Sequence, residues 1–394
     1  MIGTQDVQIQ LWINGYQVDK VLNMMSLKII EDVTSLFPYG TMIVNDWMGF
    51  FNTVQLIGGE EFVIREIKRV DDERLDMVFK VLFVEMVSDK TYIIHFVFCK
   101  DKNIGFLERK ISRSFTNRKA SEVIRDIMTI DLKETDSNLD ISDAFPLRNW
   151  IQPYITDGQM ICQIRNKAYF NENYNYFAFY SLDGIFHFKA YEEVNNRNPK
   201  FKYSISDPLI KNDRSFYTMK KFSNRVYFYN ISQNKFNSFV FDKLPKDEST
   251  KFSSQKQSSI DQISEVINSG SSNNFLEQDF KPLGYKQDCS YLTLEYKMTD
   301  LFSPIKLFNL VDLTLLFKNL AYTKADEKAI KNNFYSGIWM TGRIQKEYTS
   351  KGIIKTITFL RKGFDLSVDR MTTSIPSATT LESVSTTPMP GVNV

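Results

Sequence analysis

The stretch that decides the fold reads Val-Gln-Ile-Gln-Leu-Trp-Ile-Asn-Gly and spans residues 7–15. Apolar side chains occupy every second position from Val7 to Ile13, which is the period of a β-strand with one buried face. Asn14 and Gly15 follow at once, and because both tolerate a positive φ, the pair is a strong signal for a tight hairpin. These nine residues predict antiparallel β-structure.

The same pattern continues through the first hundred residues, where strand-like runs alternate with turns. The runs lie at residues 26–31, 41–46, 61–67, 77–87 and 91–99, and turns are predicted at residues 37–40 (Phe-Pro-Tyr-Gly) and at Gly58-Gly59. Many short strands at regular spacing favour a sandwich or barrel over a parallel sheet crossed by helices. Residues 1–108 are therefore assigned to a first β-barrel domain.

The next hundred residues mix helices with strands. One helix is predicted after a cap at Thr116 or Asn117, and a second after a cap at Asp157, because apolar residues recur on one face of each. Two aromatic runs that flank Asp183-Gly184 predict a further hairpin. Residues 109–205 are accordingly assigned to an α+β insert domain.

The third segment, residues 206–368, returns to β-structure and is assigned to a second β-barrel domain. Its last hairpin is predicted from residues 337–348 and 353–361. A polar stretch at about residues 243–279 is interpreted as an insertion into this domain. Residues 369–394 form a Ser-, Thr- and Pro-rich tail that buries too little apolar surface to order alone, so it is either disordered or ordered by a partner. The predicted fold class is α+β, predominantly β.

Bulk composition restricts the classes of protein that fit the sequence. The 394 residues carry a formal net charge of +2, whereas a dedicated nucleic-acid-binding protein shows a strong basic excess. Cys99, Cys162 and Cys289 lie far apart and are expected to be free thiols in a reducing cytoplasm. The sequence shows neither a signal peptide nor an apolar run of about 18 residues, so the chain is expected to be soluble when made.

Residues suited to catalysis or metal binding are few. Both histidines, His95 and His187, lie in apolar alternating runs and are interpreted as structural residues. Two histidines cannot supply a three-histidine metal site, and no Gly-x-Ser-x-Gly elbow accompanies them.

The carboxylate pairs Asp71-Asp72 and Glu192-Glu193 have turn-like surroundings. Gly58-Gly59 precedes acidic residues that repel phosphate. We therefore predict a non-enzymatic protein with no catalytic, cofactor-binding or metal-ligating residues.

The basic stretch Arg109-Lys110-Ile111-Ser112-Arg113-Ser114-Phe115 leaves two interpretations open. Basic residues alternate with Ile111 and Phe115, which is typical of a strand whose polar face is solvated or packed against another subunit. The alternative is a groove that binds nucleic acid. The first interpretation is favoured.

Four groups of motifs occur in a fixed order along residues 7–365. The first group is Glu31-Asp32 with the 37–40 turn, Ile43-Val44-Asn45-Asp46 and Gly58-Gly59-Glu60. The second is residues 108–115 followed by Ala120-Ser121-Glu122-Val123-Ile124, and the third is Trp150-Ile151-Gln152-Pro153-Tyr154. The fourth is residues 336–344 with the strand that ends at Lys362-Gly363. Together they resemble the baseplate hub protein family of contractile-tailed bacteriophages. The stretch at residues 243–279 does not match the family.

The resemblance implies a fold, an assembly and a function. Members of the family form trimeric rings in which each chain supplies two barrel domains related to tail-tube subunits, so that three chains present six. The implied function is a structural ring that adapts the six-fold tail tube to the three-fold central spike and encloses the channel for DNA and tape measure protein. No cofactor is implied.

The implied partners are further copies of the chain in a homotrimer, the tail-tube or tube-initiator protein, the central spike protein and the tape measure protein. Neither membrane insertion nor specific nucleic-acid binding is expected. The implied location is the virion baseplate, assembled in the host cytoplasm.

Two other functions remain open from the sequence. One is the hub portion of a type VI secretion spike. Such chains usually continue into a β-helical needle, whereas this sequence ends in the Ser-, Thr- and Pro-rich tail, so a separate spike chain would be required. The other is a carbohydrate-binding or hydrolytic β-protein with carboxylates that converge in a cleft. The 32 Phe and 19 Tyr residues are equally compatible with well-filled cores and with surfaces covered by other subunits.

Overall fold

Strands dominate the described part of the computed structural model, of which 60% is strand and 15% is helix. This confirms the predicted α+β, predominantly β class. The structure describes residues 3–4, 7–68, 73–98, 108–170, 176–195, 198–206, 209–213, 225–230, 235–240, 292–298, 304–317, 330–331, 335–350 and 352–361. The described strands do not close into a barrel. In these ranges no helix is long and apolar enough to cross a membrane.

The first lobe is an antiparallel sheet of eight strands with one short helix. Its elements are β1 Gly3–Thr4, β2 Val7–Ile13, β3 Tyr16–Gln17, β4 Asn23–Asp32, β5 Tyr39–Asn45, α1 Phe50–Thr53, β6 Glu61–Lys68, β7 Glu73–Ser88 and β8 Thr91–Phe98. The strands follow the order β1-β2-β6-β7-β8-β5-β4, and β3 pairs with β2. The four alternating apolar residues of β2 are 0–2% exposed, as their period predicts.

The predicted tight turn after β2 is confirmed. Asn14 and Gly15 have φ angles of 48° and 80°, and Ile13 pairs with Tyr16 across them. The turn predicted at residues 37–40 is shorter than expected, because β5 already begins at Tyr39. A Cβ at Gly40 would lie 2.2 Å from the Lys28 carbonyl oxygen, so only glycine lets β4 and β5 pair at this point.

The insert follows as a mixture of helices and two small sheets. Its elements are β9 Lys110–Arg118, α2 Ala120–Asp126, a π-helical turn Ile127–Asp131, a 3₁₀ turn Asp136–Asn138, β10 Leu139–Ile141, β11 Arg148–Thr156, α3 Asp157–Lys167, β12 Tyr176–Tyr180, β13 Phe186–Ala190 and α4 Tyr191–Asn195. β9 pairs with β11, and β13 lies between β10 and β12. The two predicted helices and the aromatic hairpin are all present.

Both helix caps differ from the predicted residues. Thr116 and Asn117 belong to β9, and Lys119 is the residue that precedes α2. The cap of α3 is Thr156, whose hydroxyl accepts from the Gln159 amide at 3.2 Å while the Gln159 side chain accepts from the Thr156 amide at 3.0 Å. This reciprocal capping box leaves the Asp157 carboxylate free to bind another partner.

The third segment contributes the remaining strands. They are β14 Phe201–Ser206, β15 Leu209–Asp213, β16 Arg225–Asn230, β17 Lys235–Val240, β18 Leu292–Met298, β19 Leu310–Phe317, β20 Ile330–Lys331, β21 Gly337–Thr349 and β22 Gly352–Arg361. We call β14, β15 and β18–β22 the second lobe, whose core contains Trp339 and Phe359. The polar insertion predicted at residues 243–279 and the tail at residues 369–394 lie outside the described residues.

The final hairpin, β21 with β22, is confirmed and belongs to both lobes. Residues 337–340 of β21 pair with β19 in the second lobe, whereas residues 343–349 pair with residues 26–32 of β4 in the first. Tyr348 is fully buried among the core residues of the first lobe. One sheet therefore runs from the first lobe into the second through the β4–β21 pair.

Candidate functional site

The insert brings a serine, a histidine and an aspartate into hydrogen-bonding order. His187 lies on β13 and pairs in register with Asp140 on β10, and its Nδ1 is 3.1 Å from Asp140 Oδ2. Its Nε2 is 3.1 Å from the hydroxyl of Ser181, which lies in the turn after β12. The sequence did not predict this group, because the three residues are spread over 48 positions without a motif.

Burial governs the charge of this group. It lowers the pKa of His187, although the Asp140 carboxylate works in the opposite direction. For Asp140, burial alone raises the pKa, but hydrogen bonds from Lys189 and His187 outweigh it and hold that pKa below its usual value. The imidazole is therefore neutral near pH 7 and bonds an ionised carboxylate.

The surroundings of Ser181 do not suit a nucleophile. Its side chain is buried, and its oxygen also lies within hydrogen-bonding distance of the Asp183 carboxylate and, at 3.1 Å, of the Ile185 carbonyl oxygen, so several acceptors compete for its one proton. An acyl-transfer serine needs an open approach and donors aimed at a developing oxyanion, and here a carboxylate lies beside it instead. These contacts fix the turn between β12 and β13, which agrees with the structural role predicted for His187.

The same turn connects all three segments of the chain. The Leu182 amide donates to Glu31 Oε1 on β4 at 3.0 Å, and Lys306 of the third segment lies 3.1 Å from Asp183 Oδ2. Burial raises the pKa of Glu31, although the Leu182 hydrogen bond and nearby Lys346 oppose that shift. The insert is thus held against both lobes by contacts to one four-residue turn.

The predicted basic stretch forms β9, and Arg113 points into the insert. Its guanidinium binds Gln152 Oε1 at 2.8 Å, Asp157 Oδ1 at 2.6 Å and the Asp131 carboxylate. Arg113 shares the face of Ile111 and Phe115, since all three are odd-numbered positions of one strand. Because its guanidinium is engaged within the insert, this residue is not available to a nucleic-acid groove. The solvated or inter-subunit polar face that the sequence predicted is also wrong for Arg113, since this residue shares the face of the two apolar residues.

A second buried charge cluster joins the lobes. Glu66 on β6 is 6% exposed and accepts hydrogen bonds from Lys346 and Tyr348 of β21, both at 3.1 Å. Burial, together with the Glu66 carboxylate, raises the pKa of Tyr348 well above its usual value, so the phenol stays protonated and donates. This contact reinforces the β4–β21 pairing from inside the first lobe.

The remaining candidate residues form no reactive group in the part of the chain that the structure describes. Asp71, Asp72, Cys99 and Cys289 lie outside the described residues. Cys162 is a free, partly exposed thiol. The Glu193 carboxylate accepts a hydrogen bond from Ser142. Among the described residues, no three His, Cys, Asp or Glu side chains converge as a metal site would require.

The fold of this chain is similar to that of two solved tail proteins. It resembles the 43 kDa tail protein of prophage MuSo2 from Shewanella oneidensis, with a TM-score of 0.53 and 12% identity over 90% of this chain and 98% of that one. It also resembles a tail protein from Neisseria meningitidis, with a TM-score of 0.53 and 9% identity over 91% and 98%. This chain has the fold of phage tail proteins.

The likeness confirms the resemblance inferred from the motif order at the level of the phage-tail fold. It covers nearly the full length of both tail proteins, so both lobes and the insert belong to one shared arrangement. A component of the Escherichia coli type VI secretion system is more distant, with a TM-score of 0.44 and 7% identity over 89% of this chain and 76% of that one. No protein-family profile and no curated protein sequence matches the chain.

Proposed function

We propose that this chain is a structural subunit of a phage baseplate hub, in which three copies form a ring between the tail tube and the central spike. The observation that carries the proposal is the fold likeness to two phage tail proteins, which spans 90% and 91% of this chain. Because one fold can serve several functions, the internal contacts of the chain provide the second support.

The pairing of the two lobes suits a ring. In the proposed assembly, residues 1–108 and 206–368 are two tube-like barrel domains, residues 109–205 flank them, and three chains present six such domains to the six-fold tube. The β4–β21 pair supports this arrangement because it already joins two lobes of one chain side by side. A ring of six lobes repeats such a contact between neighbouring chains.

The polar clusters suit a structural subunit rather than one that catalyses a reaction. The groups around Arg113, Ser181 and Glu66 are engaged with partners inside the chain, which favours a non-enzymatic role without a cofactor. The proposed partners are two further copies, the tube or tube-initiator protein, the spike protein and the tape measure protein. The proposed location is the baseplate of the virion, with no membrane insertion.

The proposal is tested by locating and counting the chain in purified particles. Gold-labelled antibodies against it should mark the head-distal end of the tail in electron micrographs, and quantitative mass spectrometry should give three copies per particle. The control is an antibody against the tube protein, which should mark the whole tube once the sheath is removed. The proposal is contradicted by label along the tube or by label on the head. It is also contradicted if this chain is absent from particles whose sheath has been removed.

A further inference from the structure

The distal half of β7 carries an exposed apolar strip. Four of its seven residues, which we call the β7 tip (residues 82–88), expose large apolar side chains: Leu82, Phe83, Met86 and Val87, at 45%, 52%, 60% and 58%. Ile57 lies in the adjoining loop and is 84% exposed. Phe83 and Met86 lie on opposite faces of the strand, because side chains alternate along it. Several large apolar side chains exposed together at one strand end are more than the singly scattered surface residues that soluble proteins normally show.

One edge of the β7 tip has no partner among the described strands. β6 pairs with β7 only as far as Lys80, and the Gly59–Glu60 loop bonds Val81, whereas β8 pairs with the other edge as far as Ser88. Within the described part of the chain, the outer edge from Phe83 to Ser88 therefore has no strand partner. Proteins normally protect such an edge with charges, proline or a covering element.

Phe83 is held in its exposed position. Its ring stacks on the His95 ring at a centroid distance of 4.2 Å, and the two residues are direct cross-strand partners. Glu85 also approaches the same imidazole, with its Oε2 3.6 Å from His95 Nε2. The phenyl ring is thus oriented outward before any partner binds, which reduces the entropy lost on association.

The position of the β7 tip in the sheet favours a second copy of this chain as its partner. The strand order β4-β5-β8-β7 places the tip three strand intervals from β4, about 14 Å around the lobe at the usual strand spacing. β4 is the strand that meets the second lobe of the same chain. In a ring, each first lobe needs a second neighbour on its other flank, and that neighbour is the second lobe of the next copy.

We propose that the β7 tip is the intermolecular half of the ring contact, where an edge strand of the second lobe of a neighbouring copy extends the sheet beyond β7 and covers Phe83 and Met86. Two strands of the second lobe, β14 and β15, each pair on one side only within the described sheet and can supply that edge. The inference rests on the proposed hub function and adds the surface through which the copies join.

The test compares self-association of the full chain with that of a double variant, Phe83→Ser with Met86→Ser. Sedimentation across a concentration series should show a reversible native trimer and at least a tenfold higher dissociation constant for the double variant, because buried anchors dominate interface energy. Leu75→Ser is the matched control: Leu75 lies on the same strand, is 49% exposed and is outside the tip. It should change the constant less than twofold.

Hydrogen exchange of the native chain keeps the test independent of how the variants fold. The amides of residues 83–88 should exchange more slowly in the trimer than in the dilute monomer. The proposal is overturned if the double variant trimerises like the native chain, if these amides exchange equally in both states, or if the native chain stays monomeric. It is also overturned if purified tube protein, rather than a second copy, protects them. A baseplate location found by labelling would survive each of these outcomes.

Discussion

Lys346 Nζ lies 3.1 Å from Glu66 Oε2, although 280 positions separate the two residues in the sequence. Glu66 belongs to the first lobe and Lys346 to the final hairpin, so one buried carboxylate joins the beginning of the chain to its end. Tyr348 donates to the same oxygen at 3.1 Å. This cluster makes the stability of the first lobe depend on the third segment.

Changes to this cluster should destabilise the first lobe. Tyr348→Phe removes a hydrogen bond to a charged group and should lower the free energy of unfolding by about 1.5–3 kcal/mol. Glu66→Ala leaves the ammonium of Lys346 without its partner and should cost about 3 kcal/mol. Urea unfolding followed by tryptophan fluorescence measures both changes.

The matched control for that series is Asp89→Asn, in the exposed turn between β7 and β8, which should change stability by less than about 0.5 kcal/mol. Equal midpoints for the native chain and Glu66→Ala would show that the cluster does not hold the lobes together.

Glu31 should make stability depend on pH in an unusual direction. Burial raises the pKa of Glu31, so the folded chain binds this proton more tightly than the unfolded chain does. The ionised form therefore costs stability at neutral pH, and that cost is relieved as the pH falls through the raised pKa. Glu31→Gln keeps an acceptor for the Leu182 amide and should have a higher melting temperature than the native chain at pH 7.

The advantage of Glu31→Gln should shrink on acidification and disappear below the ordinary glutamate value of 4.5. Melting temperatures measured from pH 4 to pH 8 check this, with Glu108→Gln at an exposed position as the control. A variant whose melting temperature runs parallel to the native value over the whole range would exclude burial of a charged Glu31.

Two arginines in the basic stretch should behave differently. Arg113→Ala removes the shared partner of Asp131, Asp157 and Gln152 and should destabilise the insert by about 3–5 kcal/mol. Arg109→Ala, at an exposed position four residues earlier, should change stability by less than about 0.5 kcal/mol. Neither variant should alter retention on a DNA column, whereas weaker retention of both would restore the nucleic-acid interpretation of this strand.

The Ser181–His187–Asp140 group should have no hydrolytic activity. The native chain, Ser181→Ala and His187→Gln should hydrolyse p-nitrophenyl esters at the same background rate, because the serine hydroxyl is buried beside the Asp183 carboxylate. Ser181→Ala should still lower the free energy of unfolding by about 1–2 kcal/mol, through lost hydrogen bonds in the turn. Ester hydrolysis that both substitutions abolish would show that the group is catalytic.

Prediction from the sequence succeeded where a local pattern carries the information. The alternation in β2, the Asn14-Gly15 turn and the hairpin of β21 and β22 all depend on residues within a few positions of one another. Helix caps were less predictable, because several polar residues precede each helix and the backbone path selects one. Thr156 replaced the predicted Asp157 because it closes a reciprocal pair with Gln159.

The candidate groups were not predictable, because their members are distant in the sequence. Nothing near Arg113 indicates that Asp131 and Asp157 will bind it, and nothing near Ser181 indicates His187 and Asp140. The β7 tip was predicted as part of a strand, but its exposure depends on where β6 ends. Such features follow from which strands become neighbours, and side-chain periodicity does not encode that choice.

The sequence by itself determined the strand-rich class and the final hairpin, since the twofold period and the turn residues act over a few neighbouring positions. The tertiary structure decided that β21 leaves β19 to pair with β4, and that Glu66, Glu31 and Arg113 become enclosed with their partners. The physical reason is that strand pairing and charge burial are energies between distant residues, which take a value only once the chain has brought those residues together.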